Sequence, residues 1–234
     1  MKKRKAAVLL SGGLDSSTIL FWAIAHGYET HCLIFSYNQR HSGEIKKAVK
    51  IAEGARRPYT IIDIKLPWGG SSLLGQGGSI PRGKLQGNKI PSTYVPGRNT
   101  IFISYALSFC EAMKMNFIFI GANAVDFSGY PDCRPSYYRE FGKLLKQASL
   151  GKVRIKTPLL KKSKKEIVLL ARLLKVPLEH TWSCYEGARR PCGVCDSCLL
   201  REKGFREAGI EDPALRETLK SNRTPSAYQK RKGK

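Results

Sequence analysis

The chain alternates short, wholly apolar runs with longer stretches in which apolar and polar residues are interleaved. Ala6 to Leu10 is apolar throughout, the pattern of a strand buried on both faces of a sheet. A Ser/Gly loop follows. Ser16 to His26 then reads as an apolar-rich helix, stopped by Gly27 at the position where helices favour a left-handed residue. Thr30 to Ser36 reads as a second strand and Ser42 to Glu53 as a charged amphipathic helix ended by Gly54. Pro58 to Lys65 reads as a third strand. The β-α-β-α-β order predicts an α/β fold, a Rossmann-like parallel sheet with helices on its faces.

Further along, Asn99 is expected to cap a long apolar helix reaching Met115. Phe117 to Gly121 reads as another buried strand, and Ala122 to Pro135 as a polar loop at its C-terminal end. Tyr137 to Ser149 reads as a helix and Val153 to Thr157 as a strand. Ser163 and Glu166 form an S-x-x-E capping box, which predicts a helix to about Lys175. Pro67 to Ser92 contains seven glycines between Gly69 and Gly87, and reads as a functional, lid-like loop. Short helices are expected late in the chain, and disorder from about Ser221. No internal repeat is evident.

The 234 residues suit one domain with an appendage. The expected division is an α/β domain over 1–178, a helical cysteine region over 179–214 and a basic tail over 215–234. No apolar run approaches the ~18 residues of a membrane span. The basic start, Met1 to Lys5, precedes an apolar run shorter than the ~7–15 residues of a signal-peptide core. The reading is a first strand in a cytoplasmic protein.

A formal charge of +23 changes the picture. Between Lys143 and Lys175 there are eleven Lys/Arg and one acid, Glu166, so a basic patch is expected. A solvated basic face is the plainer reading. Transient contact with nucleic acid or phosphate is the less favoured one.

Of seven cysteines, Cys184, Cys192, Cys195 and Cys198 are bunched as C-x7-C-x2-C-x2-C. In a cytosolic chain such spacing points to metal before disulfide. C-x2-C pairs place sulfurs one tetrahedral edge apart around an ion with metal–sulfur bonds of roughly 2.3 Å. Four thiolates close the coordination sphere, so the expected role is structural zinc, with an iron–sulfur cluster as the alternative. Cys32 and Cys110 lie in apolar segments and read as core. Cys133 lies in a polar loop; packing or substrate contact is preferred there over a nucleophilic role.

Ser11-Gly12-Gly13-Leu14-Asp15-Ser16-Ser17 joins the first strand to the first helix. Two glycines let backbone N–H groups approach a phosphate, and the serines add hydroxyl donors. The helix presents its positive end to the anion. A carboxylate there repels phosphate unless a cation intervenes, so Asp15 suggests a magnesium ion or a loop-orienting role. A second string, Gly78 to Leu85, nearly spells a Walker A loop. It has Leu85 where a hydroxyl must hold the cation and no strand before it, so it is set aside.

The Ser11–Ser17 string resembles the SGG-x-DS pyrophosphate loop of the N-type ATP pyrophosphatases, which include GMP, asparagine and NAD synthetases and tRNA-thiolating enzymes. Further strings follow in order: Tyr37-Asn-Gln-Arg-His41, Val95-Pro-Gly-Arg-Asn99, Asp126 to Arg134, Thr157-Pro-Leu159 and the cysteine quartet. Together they are similar to the QueC family of the queuosine pathway, over residues 6–205. The resemblance implies an ATP-dependent carbon–nitrogen ligase. ATP would adenylate 7-carboxy-7-deazaguanine, ammonia would give the amide, and a second adenylation would dehydrate it to the nitrile. It implies ATP, Mg²⁺ and Zn²⁺ as cofactors. The implied nucleotide stretch is Val8, Leu9, Leu10, Ser11, Gly12, Gly13, Leu14, Asp15, Ser16, Ser17 and Thr18. Ser11, Asp15, Ser16, Arg98 and Lys164 are the catalytic candidates, though Lys164 also reads as a solvated lysine. Arg98, Asp126, Tyr130, Asp132 and Arg134 are the substrate candidates. A carboxylate accepts the paired N–H donors of a deazaguanine edge, and a guanidinium holds a planar anion. His41 reads equally as a proton carrier for ammonium or as an ordinary loop histidine. A homodimer is expected. The alternatives are a tRNA-modifying pyrophosphatase, favoured by the charge, and a protein-modifying relative in a defence system.

Overall fold

The computed structural model describes residues 4–37, 43–74, 78–82, 90–124, 129–150, 152–186 and 190–214. Its centre is a five-stranded, fully parallel sheet in the order β3-β2-β1-β4-β5. The strands are β1 (Arg4–Leu9), β2 (Tyr28–Ser36), β3 (Tyr59–Asp63), β4 (Phe117–Phe119) and β5 (Arg154–Lys156). The helices are α1 (Leu14–Ala25), α2 (Gly43–Gly54), α3 (Arg98–Ala112), α4 (Pro135–Ala148), α5 (Lys164–Leu173) and α6 (Asp196–Glu207).

Strand β1 is central; after exposed Arg4 and Lys5 it is buried on both faces, which is why Ala6 to Leu9 is continuously apolar. Ala6 and Val8 point into one apolar layer with Ile19 and Leu20 of α1, Ile51 of α2, Ile167 of α5 and Phe205 of α6. Ala7 and Leu9 point into the other, with Ile103 and Ala106 of α3 and Phe141 and Leu145 of α4. The first three strands wind outward on one side of β1. The chain then crosses back through α3 to place β4 on β1's other side. Right-handed crossovers with reversed direction put α3 and α4 on the face opposite α1 and α2. The reversal leaves a crevice between the carboxyl ends of β1 and β4, where ligands bind in sheets of this kind.

Two helix boundaries depart from the sequence reading, for identifiable reasons. Helix α1 begins at Leu14, so Leu14 and Asp15 form its first turn rather than part of the loop. Asn99 does not cap α3. The helix starts at Arg98 behind Gly97, whose φ of 65° is left-handed. Asn99 N–H donates instead to Asp132 Oδ2 at 3.0 Å, and its side-chain amide donates to the Asp132 carbonyl at 3.1 Å. A distant carboxylate caps this end of the helix in place of the local Asn99 side chain. The Ser163–Glu166 capping box forms as expected, with Ser163 N–H donating to the Glu166 carboxylate at 2.8 Å.

The glycine-rich segment after β3 is fastened at two places. Ser72 N–H donates to the Ser92 carbonyl at 2.8 Å. Ile80 packs among Cys184, Cys195 and Cys198, and Arg82 pairs with Glu186 at 2.8 Å. The described part of the near-Walker string thus serves as a strap onto the cysteine region.

Candidate active site and metal centre

A cavity of about 280 Å³ opens at the carboxyl ends of β1, β2 and β4. Its wall includes Ser11, Asp15, Glu44, Arg98, Tyr130 and Lys164, which come from five separate segments. Apolar surface from Phe35 and Phe102, stacked at 4.0 Å and 8°, closes one side.

The Ser/Gly loop is held by its own hydroxyls. Ser11 Oγ and Ser16 Oγ lie 3.0 Å apart, Gly13 N–H donates to Ser11 Oγ at 3.3 Å, and Ser17 Oγ–H donates to the Gly13 carbonyl at 2.7 Å. Gly12 has φ +79°, and an added Cβ would lie 2.7 Å from the Ala48 nitrogen of α2. Backbone conformation and close approach both demand glycine there. At Gly121, after β4, close approach alone is the constraint, since a Cβ would lie 3.0 Å from the Ser16 nitrogen. From outside, Trp182 N–H donates to the Gly12 carbonyl at 2.9 Å. The resulting loop carries backbone donors at the start of α1 and hydroxyls on the cavity wall, the arrangement that receives a polyphosphate.

Asp15 Oδ2 accepts a 2.6 Å bond from Lys164 Nζ and a 3.2 Å bond from the Asn123 amide. Its Oδ1 is buried and has no hydrogen-bond partner among the described residues. A buried anionic oxygen without a donor suits a cation, so Asp15 fits a magnesium ion carried in with a nucleotide. Lys164 is therefore not a solvated lysine. It opens α5, reaches across to the phosphate loop and is 14% exposed.

Arg98 Nη1 donates to the Tyr37 hydroxyl at 3.4 Å. Burial acts against its charge, but Tyr37, Cys133 and Asp132 more than offset this, so the guanidinium is held firmly cationic. Tyr130 lines the cavity with its hydroxyl 2.9 Å from Thr93 Oγ1.

The remaining residues singled out from sequence are distributed as follows. Leu9, Leu10, Gly13, Leu14 and Ser16 reach the wall, while Val8, Gly12, Ser17 and Thr18 lie behind it and support the loop. Asp132 is buried at the start of α3, engaged with Asn99, and Arg134 is exposed at the start of α4. Neither is on the cavity wall. Cys133 is, and its sulfur accepts from the Asn99 amide at 3.2 Å. Asp126 and His41 lie outside the described residues.

Sequence reasoning passed over Glu44, Asn123 and Arg201. Arg201 is the most connected of them. It pairs bidentately with Asp212 at 2.6 and 2.9 Å, and donates to Thr181 Oγ1 at 2.8 Å and to the Leu178 carbonyl at 3.3 Å. Only its burial identifies it, and in a chain this basic no sequence signal separates it from its neighbours.

The four cysteines converge. Their sulfurs all lie within 4.8 Å of one another, with Cys192 and Cys198 at 4.0 Å. Tetrahedral coordination at a metal–sulfur distance of roughly 2.3 Å requires sulfur separations of roughly 3.8 Å, so the cage fits a four-coordinate metal. The N–H groups of Cys192 and Cys195 donate to Cys184 Sγ and Cys192 Sγ, each at 3.3 Å. Donors of this kind favour thiolates. Without a cation the sulfurs compete: hydrogen bonds from Cys195 and Cys198 hold Cys184 ionised, while Cys195 is pushed up to about 11 by that same bond. A divalent ion relieves the crowding of charge.

The family model described as "Queuosine biosynthesis protein QueC" matches residues 5–209. The chain belongs to the QueC family. A 7-cyano-7-deazaguanine synthase from Thermoplasma acidophilum is 46% identical over 235 residues, covering 98% of this chain and 97% of that one. One from Picrophilus torridus is 49% identical over 217 residues, with 89% and 90% covered. A relative of the same name, from Gloeothece citriformis, is 47% identical over 221 residues, with 92% and 96% covered. Among the described residues of this QueC family chain, no helix is long and apolar enough to cross a membrane.

Proposed function

We propose that this chain converts 7-carboxy-7-deazaguanine to 7-cyano-7-deazaguanine, using ATP and ammonia. One observation carries the reading: the serine–glycine loop and Arg98 wall one cavity in a chain 46% identical, over nearly its whole length, to a 7-cyano-7-deazaguanine synthase. In this reading the polyphosphate of ATP rests on the loop's backbone donors, with Ser11 and Ser16 hydroxyls beside it. Asp15 would hold a magnesium ion, while Lys164 fixes its Oδ2 oxygen. The ion supplies charge neutralisation on the phosphates. Arg98 holds the substrate carboxylate, for which a half-buried cationic fork is suited.

The chemistry then needs two activations. A carboxylate oxygen attacks the α-phosphorus and pyrophosphate leaves. Ammonia adds to the carbonyl carbon, and the C–O bond to AMP breaks to give the amide. The amide oxygen is adenylated in turn, and AMP leaves as the nitrogen loses its protons, giving the nitrile. Fixed donors and cations around the developing charge lower each barrier. Zinc in the cage of Cys184, Cys192, Cys195 and Cys198 supplies a structural cross-link; closed thiolate coordination leaves no position for a reactant.

The test is incubation of the purified protein with carboxydeazaguanine, magnesium ATP and ammonium, with products identified by mass spectrometry. Amide and then nitrile are expected, with pyrophosphate and AMP. Absence of both products refutes the reading. Asp15→Asn keeps the shape but loses the charge and is expected to lower turnover at least about 10²-fold.

A further inference from the structure

The cavity wall carries one acid that the reaction scheme has not yet used. Glu44 lies in the first turn of α2, and its backbone is pressed against the phosphate loop: a Cβ on Gly12 would lie 2.9 Å from the Glu44 carbonyl oxygen. Among the described residues its carboxylate makes no hydrogen bond and no ion pair within 4.0 Å, whereas Asp15, the other acid on the wall, is bonded to Lys164. A carboxylate beside a loop built for polyphosphate is repelled by the phosphates. The repulsion is relieved if the group holds a small cation or takes up a proton.

We propose that Glu44 receives the ammonium ion and takes one proton from it, delivering ammonia to the adenylated carboxyl group. The inference rests on the proposed function and adds a residue to it. The ammonium gives a proton to the Glu44 carboxylate, and the freed nitrogen lone pair forms the C–N bond. The C–O bond to AMP breaks, and AMP leaves with that electron pair. The extra proton on the new nitrogen passes to water, and Glu44 returns its own proton to solvent before the next turnover. The groups that act on Glu44 electrostatically are Arg98 from the start of α3 and, more weakly, Cys184 from the cysteine segment; Tyr37, at the end of β2, is influenced in turn. Burial pushes the carboxyl up to about 7 against the opposing pull of Arg98. A base so poised accepts a proton near neutrality and releases it again. The Glu44 backbone packs on Gly12 of the Ser/Gly loop, so in the proposed reaction its carboxylate sits on the side of the cavity where the polyphosphate would rest.

The experiment compares wild type, Glu44→Gln and Glu44→Asp, each checked for folding by thermal unfolding. Ammonium is titrated at saturating ATP and carboxydeazaguanine. For Glu44→Gln, kcat/KM for ammonium is expected to fall about 10²-fold, with Glu44→Asp intermediate. KM for ATP and for carboxydeazaguanine should stay within about threefold, as should pyrophosphate exchange into ATP measured without ammonium. Raising the pH, which converts ammonium to ammonia in solution, should narrow the gap between variant and wild type. An unchanged kcat/KM for ammonium in Glu44→Gln overturns the inference. So does a raised KM for carboxydeazaguanine alone, which would make Glu44 a reader of the base edge. If Glu44→Gln does not fold, the same comparison on Glu44→Asp decides. A wild type that forms no amide or nitrile overturns the proposed function instead, and this inference with it.

Discussion

Replacing Arg201 with Met tests how the cysteine region is joined to the phosphate loop. The Arg201 side chain is 8% exposed and that of Asp212 is 4%. Deleting the guanidinium leaves a buried carboxylate whose remaining described donor is the Ala214 N–H at 3.0 Å. Breaking a buried pair by removing one partner costs about 3–5 kcal/mol, because the other charge is left uncompensated. The lost bonds to Thr181 and the Leu178 carbonyl act in the same direction. In a chain of this size about 2–4 °C is lost per kcal/mol, so the thermal midpoint should fall by about 10 °C.

The double variant R201M/D212L removes the orphan as well and should regain most of that loss, since an apolar pair can replace a buried ion pair at little cost. Scanning calorimetry on wild type, both single variants and the double variant gives the coupling directly. A functional readout follows from position. Arg201 orders residues 178–183, and Trp182 in that segment holds the Gly12 carbonyl. ATP affinity of the folded single variant should therefore weaken, measured by titration calorimetry below its melting range. A midpoint shift under about 3 °C, or a double variant no better than Arg201→Met, refutes the reasoning.

Two other outcomes follow from the same geometry. Gly12→Ala must relieve a 2.7 Å contact with the α2 backbone and a φ of +79°. It should lower stability by about 1–3 kcal/mol in urea unfolding and raise KM for ATP. Removing metal with a strong chelator should release one ion per chain by elemental analysis and lower the thermal midpoint, since closed thiolate sites contribute folding energy. An unchanged midpoint after complete removal rejects a structural role.

What the sequence made legible was what it kept local. The loop at Ser11–Ser17 announces itself because strand, glycines, hydroxyls and helix are contiguous, and the cysteine quartet because its spacing is the chemistry. Elsewhere the site depends on long-range meetings. Lys164 reaches Asp15 across 149 residues, and in a basic stretch nothing distinguishes it from Lys162 or Lys165. Asn99 misleads for the opposite reason. Its side chain suits a helix cap, so a local rule assigns it one, while the cap is Asp132, 33 residues on. Glu44 looks like an ordinary acid in the first turn of a charged helix, and only the packing of α2 on Gly12 brings it to the cavity.

The same distinction explains why the cysteine region is not a detachable appendage. Phe205 of α6 is buried in the layer that holds α1 and α5, and Gly204 leaves no room for a side chain against Lys164, where a Cβ would lie 2.8 Å from the lysine Cβ. Helix α6, capped by Cys195, thus braces the residue that holds Asp15. The cage, Arg201 and Trp182 press on the phosphate loop from one direction, and Gly204 fixes Lys164 from another. In the proposed reaction, a closed thiolate site that touches no reactant would still act on catalysis, through the position of the two side chains that meet at 2.6 Å over the loop.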